Sequence, residues 1–304
     1  MRESAVEEAR PDSRFTLLGQ VFDAPRPEPG LYLVATPIGN LGDMGLRALQ
    51  IVAGADMLAC EDTRVTAKLL QRYGIRRASM AYHEHNSEAA GAAILEALAA
   101  GKSVALVSDA GTPVVSDPGF PAARLAIAAG FPVIPVPGAS APLAALAASG
   151  LPTDAFFFAG FPPQKQVARR ARFEELARVP GTLLFFEAPH RIADSLADMA
   201  AMLGDRPAAV CRELTKLHET IYRDGLSGLA RTFQAMERVR GEIVVCVGPP
   251  APEAAASGDD VDAILSGLLQ EMKPAHAAQE AVKLTGLPRR ELYRRALALK
   301  DGTA

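Results

Sequence analysis

Cysteine is scarce in this chain, and the few present are badly placed for cross-links or metal. Three occur in 304 residues, Cys60, Cys211 and Cys246, each alone inside an apolar, strand-like run. With no CxxC pair, that usage excludes a zinc cluster and a disulfide scaffold, and it reads as a reduced, cytosolic protein. Long hydrophobic runs are also missing: none approaches the roughly 18–20 residues that span a bilayer. The first residues, Met1 to Arg14, are too charged for a secretory signal. A global basic field is absent, since the formal net charge is −3. Any contact with nucleic acid must therefore come from local patches. Two glycine fingerprints are lacking as well. No GxGxxG occupies the first strand–helix turn and no GxxxxGK[ST] occurs anywhere, which argues against a dinucleotide dehydrogenase and a P-loop NTPase.

What is present is a composition 49% hydrophobic and 22% charged, enough for two domains and an appendage. Residues 1–29 mix charges with prolines and predict a mobile leader, with an apolar patch, Phe15 to Phe22, that either docks or stays free. From Gly30 to Gly150, short apolar runs alternate with helical patterns. Strands are predicted near residues 31–35, 57–60, 79–82, 104–107 and 133–136. Asp43 and Ser87 stand where helix N-caps belong. Such βα repetition implies a mainly parallel sheet with right-handed crossovers. Gly150-Leu-Pro-Thr-Asp154 marks a boundary, and a second α/β domain is predicted over residues 151–248. Residues 249–260 form a Pro/Ala/Gly linker. Residues 261–304 carry three short helical patterns that resemble a helix-turn-helix.

The functional signals cluster where predicted strands end. Ser108 to Gly119 follows the run Val104–Val107 and precedes a helical pattern, the context in which an open sheet presents ligands. Gly111 permits close backbone approach, and Pro113 and Pro118 stiffen the loop. Asp109 and Asp117 would repel a polyanion and suit a cationic or hydroxyl-bearing ligand. Glu61-Asp62-Thr63-Arg64 adds carboxylates, a hydroxyl and a cation after another strand. His83-Glu-His85-Asn86 is open to three readings: a metal pair, a polar strand-end loop, or a substrate-facing loop. His190, His218 and His276 supply no ligand spacing to complete a metal set. Lys165, Arg169, Arg170, Arg172 and Arg178 share one predicted helix, as a solvated face or a phosphate contact.

These motifs occur together and in order: Leu33 to Asp43, Glu61 to Arg64, His83 to Asn86, Ser108 to Gly119, Pro137 to Ser140, Glu187 to Arg191 and Arg212 to Lys216. In that set the chain resembles the bacterial 16S ribosomal RNA (cytidine-2′-O)-methyltransferases of the tetrapyrrole methylase superfamily. The resemblance implies two α/β domains with S-adenosylmethionine in the cleft between them. By motif, it places Thr36, Pro37, Asp109, Ala110, Gly111, Thr112, Pro113, Ser140 and Ala141 beside that cofactor. From the second domain it adds Glu187, Ala188, Gly241, Glu242 and Ile243. It implies 16S rRNA within the small subunit as partner, a homodimer, and no metal.

Methyl transfer to a ribose hydroxyl is helped by a group that takes its proton. Glu61, Asp62, His85, His83 and Glu187 are candidates, with the loop from Glu61 to Arg64 favoured because Arg64 could also steady phosphate. Candidate RNA contacts are Lys165, Arg169 and Arg191, with Arg289, Arg290 and Arg294 in the last helix. There Lys283, Arg295 and Lys300 add charge, and Tyr293 with Leu287, Leu292, Leu297 and Leu299 is expected to form the apolar side. Rival readings are a same-fold methylase of a tetrapyrrole or protein side chain, and an assembly factor that kept the fold without catalysis.

Overall fold

The computed structural model describes residues 13–113, 120–251, 258–285 and 287–300. Asp117, Pro118 and Gly119 of the loop singled out above lie outside the described residues. Among the described residues the strands are β1 Arg14–Leu17, β2 Gln20–Asp23, β3 Gly30–Val34, β4 Met57–Cys60, β5 Met80–Ala81, β6 Ser103–Val107, β7 Val133–Val136, β8 Phe156–Phe158, β9 Thr182–Glu187, β10 Pro207–Arg212, β11 Thr220–Gly225 and β12 Ile243–Val247. The helices are α1 Leu46–Gly54, α2 Thr63–Arg72, α3 Ser87–Ala99, α4 Phe120–Ala128, α5 Ala141–Ser149, α6 Gln166–Leu176, α7 Ile192–Leu203, α8 Leu226–Gln234, α9 Gly258–Glu271, α10 Pro274–Thr285 and α11 Arg289–Lys300. None of these helices is long and apolar enough to cross a membrane.

The first sheet is parallel throughout, in the order β5-β4-β6-β3-β7. β6 is buried along its whole length, as expected of a strand covered on both faces. Ala48, Leu49, Val52, Leu69 and Leu70 of α1 and α2 pack on one face. Ala90, Ile94, Leu98, Ala122 and Ala126 of α3 and α4 pack on the other. Consequently every loop that follows a strand of this sheet emerges along one edge.

The second sheet has the order β11-β10-β12-β9-β8, antiparallel except for β8 beside β9. Its mostly antiparallel pairing differs from the first. Strand alternation splits its core in two. Leu184 faces the cluster that holds Ala145 and Leu146 of α5, whereas Phe185 meets Phe173 of α6 edge-on, with ring centroids 5.5 Å apart. α5 was expected in the N-terminal domain, yet it packs on this second sheet. Both sheets belong to one compact unit that runs to Gly248 apart from residues 177–180; the helices after it form a second.

Three local expectations are corrected. Residues 13–29 are not a free leader: β1 and β2 form a hairpin, Phe15 is buried in the α1–α2 cluster, and the Thr16 N–H donates to the Tyr73 carbonyl at 2.6 Å. Asp43 caps no helix; it ends a short 3-10 turn, Leu41–Asp43, capped by the Asn40 side chain, and Gly45 precedes α1. Ser87 is the first residue of α3 rather than its cap, which is Asn86. The second unit has its own core, built from Val261, Leu265, Ala278, Ala281, Leu292 and Ala296.

Phe15 also stacks on Phe22, with centroids 5.4 Å apart. Truncating Phe15 to Ala should cost about 3 kcal/mol, read as a lower urea midpoint with faster amide exchange in the hairpin. An unchanged midpoint and exchange rate would show that the hairpin adds nothing to the fold.

Candidate active site

The edge where the parallel strands end is tied together by its own backbone. Thr36, just past β3, and Gly111, just past β6, exchange two hydrogen bonds, N–H to carbonyl at 2.9 and 3.0 Å. The Thr36 hydroxyl donates to the Ser108 carbonyl at 3.1 Å, the Ser108 hydroxyl to the Gly111 carbonyl at 2.9 Å, and the Thr112 hydroxyl to the Ala139 carbonyl at 3.2 Å. These side chains are spent on shaping the loop, and Pro37 and Pro113 are buried beside them. Gly111 lies at φ +86°, and a Cβ there would stand 3.3 Å from Ile38 Cγ2. The position therefore demands both the left-handed backbone and the open space that glycine provides.

A cavity of about 440 Å³ opens between this edge and the second sheet. Ile38, Ala110 and Ala141 line it from one side, and Phe161, Phe186, Glu187, Ala188 and Pro189 from the other, with Cys211, Leu214 and residues 241–244 closing it. Antiparallel pairing explains that convergence. β12 runs against β9 and β10, so its first residue, Ile243, is in register with Glu187 and with Arg212, the last residues of those strands. Ala110, Ala141, Glu187, Ala188, Gly241, Glu242 and Ile243 thus lie on the cavity wall, while Thr36, Pro37, Asp109, Gly111, Thr112, Pro113 and Ser140 stand outside it. Ile38 and Leu214 fall inside motifs quoted from the sequence but were given no site role, and Phe161, Phe186 and Cys211 fall outside those motifs. They read there as ordinary core residues.

The corner between β10 and β11 contributes Leu214 to the cavity wall. Glu213 and Thr215 hold left-handed backbone, φ +53° and +65°, outside glycine. Glu213 Oε1 accepts from Lys216 Nζ at 2.9 Å and from the Glu242 N–H at 3.0 Å. Lys216 also pairs with Glu242 at 3.2 Å. Burial pushes the Lys216 ammonium down, but its bonds to the two carboxylates outweigh that and hold it above its ordinary value. The Asn40 N–H donates to Thr215 Oγ1 at 3.1 Å, which joins the loop after β3 to this corner. Gly241 sits at φ +91°, where a Cβ would fall 2.5 Å from the Glu213 carboxylate.

A second pocket, about 390 Å³, is polar and is lined by Glu61, Asp62, Thr63, Arg64, Ala81, His83 and Asp109. Asp62 caps α2 through the Arg64 N–H at 2.8 Å, and its carboxylate grips the Arg64 guanidinium at 2.6 Å. Those Arg64 hydrogen bonds hold the Asp62 carboxyl at about 2, which makes it a weak proton acceptor. Asp109 Oδ1 accepts the Asp62 N–H at 3.0 Å. His85 is exposed and lines neither pocket, and the Asn86 side chain braces the turn by accepting from the His83 N–H at 2.8 Å and donating to the Ala81 carbonyl at 2.9 Å. Among the described residues, no group of three or more His, Cys, Asp or Glu is placed to hold a metal.

Three sequence-based roles change. Glu187 is buried with its carboxylate saturated: Oε1 accepts from the Ala188 N–H at 2.7 Å and from Arg191, and Oε2 accepts from the Ser195 hydroxyl. It is thereby removed from the candidate bases. Arg191 is committed to that pair and is no free RNA contact. Arg169 is likewise buried, bonded to Asp198 at 2.5 Å, and Arg170 holds the same carboxylate at 2.6 Å. Lys165 remains exposed. In the second unit, Arg289, Arg290 and Arg294 are exposed, whereas Arg295 is bonded to Asp262 at 3.0 Å. Tyr293 and Leu297, expected on the apolar side, are 42% and 37% exposed instead. Arg290, Tyr293, Arg294 and Leu297 follow i, i+3, i+4, i+7 and so form one outward stripe on α11.

Comparison with known proteins accords with this geometry. Residues 30–230 match the family of Tetrapyrrole (Corrin/Porphyrin) Methylases, and residues 255–300 match the RsmI C-terminal HTH domain. Ribosomal RNA small subunit methyltransferase I of Mesorhizobium japonicum is 55% identical over 287 residues, covering 94% of this chain and 97% of that protein. The protein of the same name from Pseudomonas aeruginosa is 45% identical, covering 88% and 96%. Among solved structures, the methyltransferase CobJ superposes with a TM-score of 0.54 at 21% identity, over 74% of this chain and 95% of that one. Diphthine synthase does so with a TM-score of 0.54 at 18% identity, over 72% and 89%. Those two likenesses bear on the fold.

Replacing Glu187 with Ala strands the Arg191 guanidinium in a largely buried position. The expected cost is about 3–5 kcal/mol in a urea titration. A wild-type midpoint would show that the pair does not hold the cavity wall.

Proposed function

The chain belongs to the tetrapyrrole methylases and, within them, to the ribosomal RNA small subunit methyltransferase I family, and from that premise we propose that it is a cytoplasmic, homodimeric enzyme that uses S-adenosylmethionine to methylate the ribose 2′-hydroxyl of a cytidine in 16S rRNA, cytidine 1402 of the decoding centre. The observation that carries the reading is the apolar cavity at the strand ends, set beside a polar pocket. Its residues fit the cofactor. Ala110 would receive the methionine end, and residues 187–188 and 241–243 would receive the adenosine. Phe161 and Phe186 offer apolar surface on that second side. When bound, the cofactor supplies an electrophilic methyl carbon: as the O–C bond forms the C–S bond breaks, its electron pair stays on sulfur, and the hydroxyl proton leaves. The protein's part is to align the reactants, keep bulk water off the cavity, and accept that proton.

RNA recognition falls to local charge, since the chain has no basic field of its own. The α11 stripe pairs two guanidinium groups with an aromatic ring, a combination that suits phosphate and an unstacked base. A preformed subunit surface should therefore be a better substrate than naked RNA.

Small subunits from a strain lacking the enzyme, incubated with tritiated S-adenosylmethionine, should yield 2′-O-methylcytidine on nucleoside digestion. Label on the base, or none, would overturn the assignment, and an inactive protein that still binds subunits would favour the assembly-factor reading. Light scattering at micromolar concentration tests the dimer. Changing Arg290 and Arg294 together to Ala should raise KM for subunits by about tenfold at low salt while cofactor affinity stays put, with the difference shrinking as salt rises. An unaltered KM would remove α11 from the RNA contact.

A further inference from the structure

We infer that Asp109 takes the proton from the ribose hydroxyl, because it links the polar pocket to the apolar cavity. Asp109 lines the first and its chain neighbour Ala110 lines the second; among the described residues no other adjacent pair contributes to both. This rests on the ribose-methylation reading and reassigns Asp109 from the cofactor's methionine end, where resemblance placed it, to the acceptor nucleotide.

Two of the other acids nearby are unsuited. Glu187 has both carboxylate oxygens engaged. Asp62 is consumed by the α2 cap and by Arg64. Asp109 differs in being anchored at one oxygen only. Oδ1 accepts the Asp62 N–H at 3.0 Å, and among the described residues Oδ2 accepts from none. A single anchor fixes the direction of the carboxylate and leaves the second oxygen for a hydroxyl. The segment from Ser108 to Gly111 that holds it is pinned by the two hydrogen bonds between Thr36 and Gly111.

The step is balanced without any further reactant. As the ribose oxygen bonds to the methyl carbon, the C–S electron pair passes to sulfur and the hydroxyl proton passes to Asp109 Oδ2. Solvent removes that proton after product leaves. The charged or titratable groups facing this carboxylate are Asp62, Glu61 and Arg64 from the start of α2, and His83 from the loop after β5. Burial pushes the Asp109 carboxyl up, the Asp62 N–H pulls it down, the Asp62 charge raises it and Arg64 lowers it, with a net rise from its ordinary value. Only the ionised form accepts a proton, so rate should fall as the solution is acidified through that raised value. The arginine beside it can meet the phosphate of the same nucleotide.

Asp109→Asn keeps an acceptor for the Asp62 N–H, so the loop should stay folded. Expected is a fall in kcat on small subunits of about 100-fold, with S-adenosylhomocysteine affinity by calorimetry within about twofold of wild type. The acid limb of the kcat–pH profile should vanish in Asp109→Asn and reappear, shifted, in Asp109→Glu. Carbon-13 NMR of the wild-type protein should show one aspartate carboxyl titrating above its ordinary value, absent in Asp109→Asn. A tenfold or greater loss of S-adenosylhomocysteine affinity with the acid limb retained would return Asp109 to the cofactor and overturn the inference, as would an unchanged kcat. If wild-type protein itself places no methyl on ribose at any pH, the functional reading falls and takes this inference with it.

Discussion

The two hydrogen bonds exchanged by Thr36 and Gly111 are the constraint on which the site depends. Parallel strands leave their carboxyl ends unpaired, and the loops that follow could splay apart. Here the loops after β3 and β6 pair as a minimal antiparallel bridge, and it is reinforced by the Thr36 hydroxyl on the Ser108 carbonyl and by the Ser108 hydroxyl on the Gly111 carbonyl, which the Thr36 N–H also bonds. Ala110 is thereby presented to the cavity on backbone that cannot easily move, and Asp109 to the polar pocket. Preorganisation of this kind spares the entropy of ordering a loop at the moment of binding.

The second half of the molecule answers with opposite strand direction. A wholly parallel second sheet would have sent the start of β12 to the far edge. Because β12 is antiparallel, Gly241, Glu242 and Ile243 arrive beside Glu187 and Cys211. Saturating Glu187 with Arg191, Ser195 and the Ala188 amide then makes the strand end a fixed wall, a use of a buried charge that is costly to break.

Much of this was legible from residue order. The strand runs at 57–60, 104–107 and 133–136 coincide with β4, β6 and β7, because short apolar runs flanked by Gly, Pro and polar clusters have few other uses. The motif positions were legible too, since loops after parallel strands share an edge. Charge was the poorer guide. Arg169 and Arg191 looked like solvent-facing cations because one-dimensional spacing does not show that Asp198 and Glu187 lie across from them. The leader misled for a similar reason: its prolines and charges hid the alternation by which Phe15 turns inward, and the partner surface around Tyr73 lies far along the chain. Cavity residues such as Phe161 and Phe186 carry no local signal at all, because an apolar side chain on a wall and one in a core are written identically.

The corner from Glu213 to Lys216 shows what such a design gives up. Two residues with side chains sit in left-handed backbone there, a conformation costing of order 1–3 kcal/mol each. Glycine at 213 would relax the chain, yet it would also delete the carboxylate that receives both Lys216 and the Glu242 amide. Relief of strain and retention of the corner's charge are thus mutually exclusive at this position. A search for more thermostable variants that scores backbone comfort would select against the corner first, and would obtain a sturdier protein with an unlatched cavity.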